Sequence, residues 1–469
     1  MKHLHLLCTL LFGVAVFLFF GLAYPHHLHY QEQYQLFLFD STYVWEIVKQ
    51  PGGVVDLLGR FCTQFLLFAW VGAGIIALLL SAVQLLMLRL FKVHSSQFIV
   101  HSSYGLSFVP SFLLWLFLLD ENALLSGVWA VLLTLLIAWA IVKLTKSWMR
   151  RVLLIIAIPV LYILVGPVCF PIPIGSLWHG IHYYRYPMVF PWLLWAAAFS
   201  AFVLIFAIRF FNRKVTASNR LVLALCSFAL VAAIMGVLVW KNANFKAEKV
   251  MQYDFMACHQ QWNRILETVN AEKPNNQIGV TVQNLALAMR GMLLEHMFDY
   301  NQNSIHGLLP DVKTDATSPL PTAEAFYQLG MINVAQRTVF EAQEAILDFQ
   351  KSGRCYTRLA QTNLINGQYE VARKYLMALQ KTLFYRDWAN ETLPLLGNEK
   401  AIASHPEYGR LRQCAYNEDF YFSDHVTPEM LESLYFRNTD NRLAYQYLLA
   451  YCMLTGDRER YNRITSKAQ

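Results

Sequence analysis

Charge is what this 469-residue sequence has least of: Asp, Glu, Lys and Arg make up 15% of it, against roughly 25% in soluble globular proteins. With a mean hydropathy of +0.35, that shortage argues against an ordinary cytosolic enzyme. Glycine (22) and proline (16) are scarce while aromatics reach 14%, which excludes collagen-like and disordered chains. The second half of the chain lacks a Gly-rich phosphate loop, HExxH, GxSxG and CxxC, so no motif there announces nucleotide, zinc-protease, hydrolase or thiol-redox chemistry.

What charge there is falls unevenly. Residues 1–240 carry 14 Lys and Arg against 6 Asp and Glu, whereas residues 241–469 carry 24 against 25. The net +7 therefore belongs to an apolar, sparsely charged half and makes no case for nucleic acid. Two physically different objects share the chain: a domain over 1–240 and another over 241–469.

Seven apolar stretches run near 4–24, 64–90, 102–119, 123–143, 152–170, 189–208 and 221–240, each close to the ~17–25 residues that cross a bilayer as a helix. The third is broken by His101, Ser102, Ser103, Ser107 and Pro110. Lys and Arg near helix ends set orientation. With the N-terminus cytoplasmic, ten of them (Arg89, Lys92, Lys143, Lys146, Arg150, Arg151, Arg209, Arg213, Lys214 and Arg220) lie inside, and Lys49, Arg60 and Arg185 lie outside. Seven spans then leave the C-terminal domain on the outer face, the periplasmic side of a bacterial inner membrane. The first stretch reads as an anchor or as a signal peptide with a small-residue site at Gly21-Leu22-Ala23; the later helices keep their orientation either way.

The outer loop over 25–63 is long for a connection, and it holds Glu32, Asp40, Glu46 and Asp56, four of the six acids of the first half. Apolar residues recur at helical spacing between Gln31 and Val48, Pro51-Gly52-Gly53 breaks the run, and Val54 to Phe61 resumes it. The pattern predicts two interfacial helices on the outer leaflet. Carboxylates beside a low-dielectric slab are costly unless paired, hydrated or metal-bound. Either they are ordinary polar residues of a water-facing loop, or they form an acidic, metal-assisted site. His26, His27 and His29 offer weak metal ligands at a spacing that matches no strong motif; three histidines at a helix end more often cap carbonyls or sit among headgroups.

A long first outer loop with acidic residues on amphipathic helices resembles the arrangement in C-type glycosyltransferases, multi-pass enzymes that take sugars from polyprenyl-phosphate or polyprenyl-diphosphate donors. The resemblance rests on loop placement over about the first 240 residues, without the family's catalytic triplet. It implies Glu32, Asp40 and Glu46 as general base or holders of a divalent cation (Mg or Mn), with His179, His182 and Arg185 on a later outer loop binding donor phosphate. That loop, aromatic-rich with one Arg, also fits an interfacial belt. The stretch YPHHLHYQEQYQLFLFD followed by PGG is also similar to bacterial multi-pass membrane proteins with no assigned activity.

In the second half, RLAQTNLINGQYEVARKYLMAL (residues 358–379) places Ala360, Gly367, Ala372, Leu376 and Leu379 where a 34-residue helix–turn–helix repeat needs small residues and groove fillers. These positions resemble a tetratricopeptide repeat. Leu329-Gly330 with Ala335 and Ala342, and Leu448 with Gly456, read as weaker copies. Asn301 to Thr322, with three prolines, reads as a long loop. Cys258, Cys355, Cys414 and Cys452 allow pairing on an outer face, or stand as buried thiols.

The expectation is all-α: a polytopic transmembrane bundle of about seven spans followed by an extramembrane α-solenoid. Its activity would be transfer of a sugar from a lipid-linked donor, with a protein or glycan acceptor at the repeat domain. A non-enzymatic scaffold, whose repeats bind a protein partner in envelope assembly, is the alternative. Transport is disfavoured, because spans two to seven carry no central Asp or Glu.

Overall fold

The computed structural model describes residues 2–94, 104–145, 191–207, 220–310, 319–346, 350–416 and 427–468, with isolated positions between 147 and 168. Every regular element among them is helical. The chain divides into two compact units, Met1–Phe245 and Lys246–Gln469.

In the first unit α1 (Lys2–Leu18) runs into a π-helical turn, Phe19–Ala23, and is followed by α2 (Pro25–Glu32), α3 (Ser41–Val48) and α4 (Gly53–Thr63). A 3-10 turn, Gln64–Leu67, leads into α5 (Ala69–His94), and another, Gly105–Phe108, into α6 (Val109–Phe117). Then come α7 (Leu125–Leu144), α8 (Trp192–Ala207) and α9 (Arg220–Asn242). Four helices, Leu4–Ala23, Ala69–Lys92, Leu125–Leu144 and Val222–Asn242, are long and apolar enough to cross a membrane. They coincide with four of the seven expected stretches. Two others form shorter apolar helices, Gly105–Phe117 and Trp192–Ala207, and the stretch over 152–170 lies mostly outside the described residues.

The hub is α5, which packs on α1, α6, α7 and α8. Its middle carries a glutamine rather than a charge. Gln84 is fully buried; its Oε1 lies 2.9 Å from the Thr9 hydroxyl, which is also 2.9 Å from His5 O, and its Nε2 donates to Ser107 Oγ at 3.0 Å. Ser111 returns a proton to Leu80 O at 2.9 Å. In an apolar surrounding each such group needs its partner inside the protein, so this polar seam fixes the register of α1 and α6 against α5.

The expected helix from Gln31 to Val48 is two helices with a turn and an irregular segment between them. Asp40 explains the break: its extended backbone and side chain, accepting from Thr42 N and Tyr43 N, start α3 afresh. Gly52, at φ 72°, opens α4, as the Pro-Gly-Gly signal implies.

In the second unit α10 (Phe245–Cys258) precedes the pair α11 (Trp262–Glu272) and α12 (Gln277–Met289). Next come α13 (Pro319–Leu329) with α14 (Ile332–Glu344), and α15 (Gly353–Ile365) with α16 (Tyr369–Leu379). Shorter helices α17 (Arg386–Thr392), α18 (Glu399–Ser404) and α19 (Pro406–Cys414) lead to α20 (Thr427–Arg437), α21 (Arg442–Thr455) and α22 (Arg458–Ala468). The three repeat-like motifs each become a helix–turn–helix around a glycine at positive φ: Gly330 (92°), Gly367 (75°) and Gly456 (73°). Only glycine takes that left-handed step without strain. The same closing bond follows each, from Met331 N to Phe326 O, Gln368 N to Asn363 O and Asp457 N to Cys452 O. Ala335, Ala360 and Ala372 are fully buried where paired helices approach.

Two features depart from the expectation. Residues 319–322 are helix, not loop: Pro319 and Pro321 occupy the first turn of α13, where the missing N–H costs nothing. In a plain solenoid each repeat meets only its neighbours, yet α21 packs back on α12 and α13, and α19 packs on α13 and α15. Asn441, at the start of α21, donates to Leu329 O at 2.9 Å. All eleven residues of α13 are consequently buried, including Glu324 and Gln328. Cys258, Cys414 and Cys452 are free thiols.

Candidate functional site

The most unusual element of the first unit is α2. Its sequence, PHHLHYQE, is polar on all sides, yet His27, Leu28, Tyr30, Gln31 and Glu32 are buried. A polar helix loses water only where other groups replace it. Here the turn after α6 does so: Leu118 O lies 2.9 Å from His27 Nε2, and Gln31 Nε2 donates to Asp120 O at 3.3 Å and Ala123 O at 3.2 Å. Beyond the helix, Thr63 Oγ1 lies 3.1 Å from Gln35 Oε1. The Tyr30 and Tyr34 hydroxyls meet at 2.6 Å.

The three acidic candidates have three different fates. Glu32 is 4% exposed in this polar core. Asp40 is the N-cap of α3, with Oδ1 2.9 Å from Thr42 N and 3.1 Å from Tyr43 N. Glu46 is exposed to solvent on α3. Asp56 forms an ion pair within α4, 2.8 Å from Arg60 Nη2. Arg60 also reaches the Tyr43 hydroxyl at 3.5 Å, which donates to Leu36 O at 2.9 Å. Burial works against the Arg60 cation, but Asp56 and Tyr43 more than offset it and raise its pKa. Burial raises the Tyr43 phenol, with Arg60 opposing.

The histidines also part ways. His26 and His29 face each other, ring centroids 5.5 Å apart, while His27 turns to Leu118. Among the described residues no group of three or more His, Cys, Asp or Glu side chains is gathered so as to hold a metal ion. His179, His182 and Arg185 lie outside the described residues.

The structure adds a feature that loop-by-loop reading of the sequence misses. The two remaining acids of the first half, Asp120 and Glu121, are adjacent carboxylates on the very turn that α2 grips. Asp120 is exposed and holds Asn122 N at 2.8 Å. The signal for it is an acidic pair just after the third apolar stretch.

Complete burial lowers the His27 pKa from 6.5 to about 4, against the opposing effects of Leu118 O and Asp120. A depressed folded-state value means that the unfolded chain binds the proton first, so stability falls as pH drops from about 6.5 towards 4 and levels off below. We expect a loss of roughly 3 kcal/mol over that window, seen as a declining melting temperature of the full chain in detergent. His27→Gln should flatten the pH profile; an unchanged slope would show that His27 is not its source.

Four long apolar helices beside one buried polar helix define the class among the described residues: a helical protein with helices long and apolar enough to cross a membrane. The family described as a family of unknown function (DUF6057) matches residues 2–180 and 170–468, and the chain belongs to it. No curated protein and no solved structure matches the chain.

Proposed function

We propose that the protein is a multi-pass membrane glycosyltransferase whose site lies around α2 and whose donor is a sugar on a polyprenyl phosphate or diphosphate. Glu32 carries the reading: a carboxylate 4% exposed on a polar helix, close in sequence to the end of a candidate span. A general base suits that place. The acceptor hydroxyl gives its proton to Glu32, its oxygen bonds to the anomeric carbon, and the carbon–oxygen bond to phosphate breaks with the electron pair leaving on phosphate. His179, His182 and Arg185 are the groups proposed to bind the phosphate that takes that charge, with a divalent metal as an optional aid. The Lys and Arg distribution supports an orientation with the 25–63 loop and the C-terminal unit both on the outer, periplasmic face. The C-terminal unit, read as a tetratricopeptide-like stack, offers the surface for a protein or glycan acceptor.

Asp40 is assigned to capping and Glu46 to the solvated face, so the test contrasts residues. In membranes supplied with radiolabelled polyprenyl-linked sugar, Glu32→Gln should lower transfer at least ~100-fold with unchanged folding. Asp40→Ala should cost about 1 kcal/mol of stability, with transfer falling no further than the folded fraction. Full transfer by Glu32→Gln would overturn the reading. The second reading, a non-enzymatic scaffold, draws on the dispersal of the three expected acids; it predicts that Glu32→Gln leaves the phenotype of a complemented deletion strain intact.

A further inference from the structure

Around α2, three glutamines carry a buried amide atom with no partner among the described residues, Gln31 Oε1, Gln33 Oε1 and Gln35 Nε2; of the three side chains, Gln31 and Gln35 are themselves buried. Gln31 is 4% exposed, and its Nε2 serves two carbonyls, Asp120 O and Ala123 O. Carbonyls only accept, so the nitrogen must face them, and its Oε1 is buried with no donor among the described residues. Gln35 is 1% exposed and shares Thr63 Oγ1 with Gly59 O, at 3.1 and 2.9 Å. A hydroxyl has one proton, and the bond to the carbonyl four residues back is the common use of a helical threonine. As the amide stands, Gln35 Nε2 is buried without an acceptor among the described residues; turned over, it satisfies Thr63 and leaves Oε1 open instead. In either orientation one Gln35 amide atom lacks a partner there.

Both amides converge on one stretch of chain. Gln31 reaches Ala123 directly, and Gln35 reaches Thr63, whose other partner Gly59 presses on Ser126 so closely that a Cβ there would lie 2.6 Å from Ser126 N. A buried polar atom left without a partner keeps the cost of its lost hydration. Those of Gln31 and Gln35, four residues apart in sequence, flank the buried carboxylate of Glu32 and lack partners among the described residues. One open atom is an acceptor and the other can be a donor or an acceptor. A hydroxyl satisfies all of these, because it is both; a cation satisfies only oxygen.

We propose that Gln31 and Gln35 bind hydroxyl groups of the sugar on the donor lipid and so distinguish it from the bare lipid phosphate. The identity of the lipid rests on the transferase reading, but binding needs no turnover. The test uses full-length protein in detergent micelles, titrated with undecaprenyl phosphate carrying glucose or N-acetylglucosamine and with undecaprenyl phosphate alone. Wild type should bind one sugar-bearing lipid at least ~10-fold tighter than the bare one, from about 1.4 kcal/mol per tenfold. Gln31→Leu with Gln35→Leu should bring that preference to within about twofold, leaving affinity for the bare lipid in place. Gln35→Met, which keeps both carbonyl bonds of Gln31, should fold normally and lose part of the preference. No preference in wild type, or an undiminished one in Gln35→Met, overturns the inference. If Glu32→Gln keeps full transfer while the amide variants still lose sugar preference, the binding site stands and the assigned base does not.

Discussion

Replacing Arg358 by alanine is expected to lower the stability of the C-terminal unit by about 3–5 kcal/mol. Glu324, on the wholly buried α13, has a side chain only 3% exposed, and Arg358 Nη2 meets both of its oxygens at 2.7 Å. Arg358 also donates to Gln361 Oε1 at 2.9 Å and lies 3.7 Å above the Tyr327 ring, whose hydroxyl holds Glu407 at 2.9 Å. The other cation nearby, Arg354, is 3.7 Å from Glu324 and forms a two-pronged pair with Asp254. Without Arg358 the Glu324 charge keeps, among the described residues, only that distant share, and an uncompensated buried carboxylate is what makes breaking such pairs costly. Arg337→Ala removes an exposed pair with Glu341 and should cost under ~1 kcal/mol. Hydrogen exchange over 319–365 in the full chain separates the two; equal protection in both variants would refute the asymmetry.

Gly59→Val is the second large effect. At Gly59 an added Cβ would meet Ser126 N at 2.6 Å and Ser126 Cα at 2.8 Å. Backbone cannot rotate away as a side chain can, so α4 must lift from α7. Overpacking of this kind costs about 1–3 kcal/mol and occasionally more. The shift also displaces the carbonyl that Thr63 uses, and with it the anchor of Gln35. We expect a lower melting temperature and loss of sugar preference together, whereas Gly367→Ala, in open space at φ 75°, should lower stability by about 1 kcal/mol and leave binding untouched. A Gly59→Val protein with wild-type melting would contradict the close helix approach.

Much of this architecture is legible in the amino-acid sequence. Apolar runs of membrane-crossing length mark the helices of the first unit, and Gly330, Gly367 and Gly456 between amphipathic segments mark the helix pairs of the second. What escapes is non-local. Nothing in residues 442–455 announces that they return to α12 and α13, because amphipathicity says that a helix buries a face and not against which partner. The burial of α2 escapes for the opposite reason. PHHLHYQE carries the composition of a surface segment, and only its partners on the 118–123 turn show that it is inside. Loop membership alone weights Glu32, Asp40 and Glu46 equally; capping, burial and exposure tell them apart.

The central claim is that the α2 platform and the C-terminal unit are presented to the same, outer compartment. Thiol labelling tests it most directly, with cysteine placed at Glu46, which is exposed, and at Glu370, whose side chain is 86% exposed. The account predicts that both positions react with an impermeant maleimide in intact cells, above the background of the native cysteines. Reaction of the Glu370 position only after lysis would put the C-terminal unit on the other side of the membrane and contradict it.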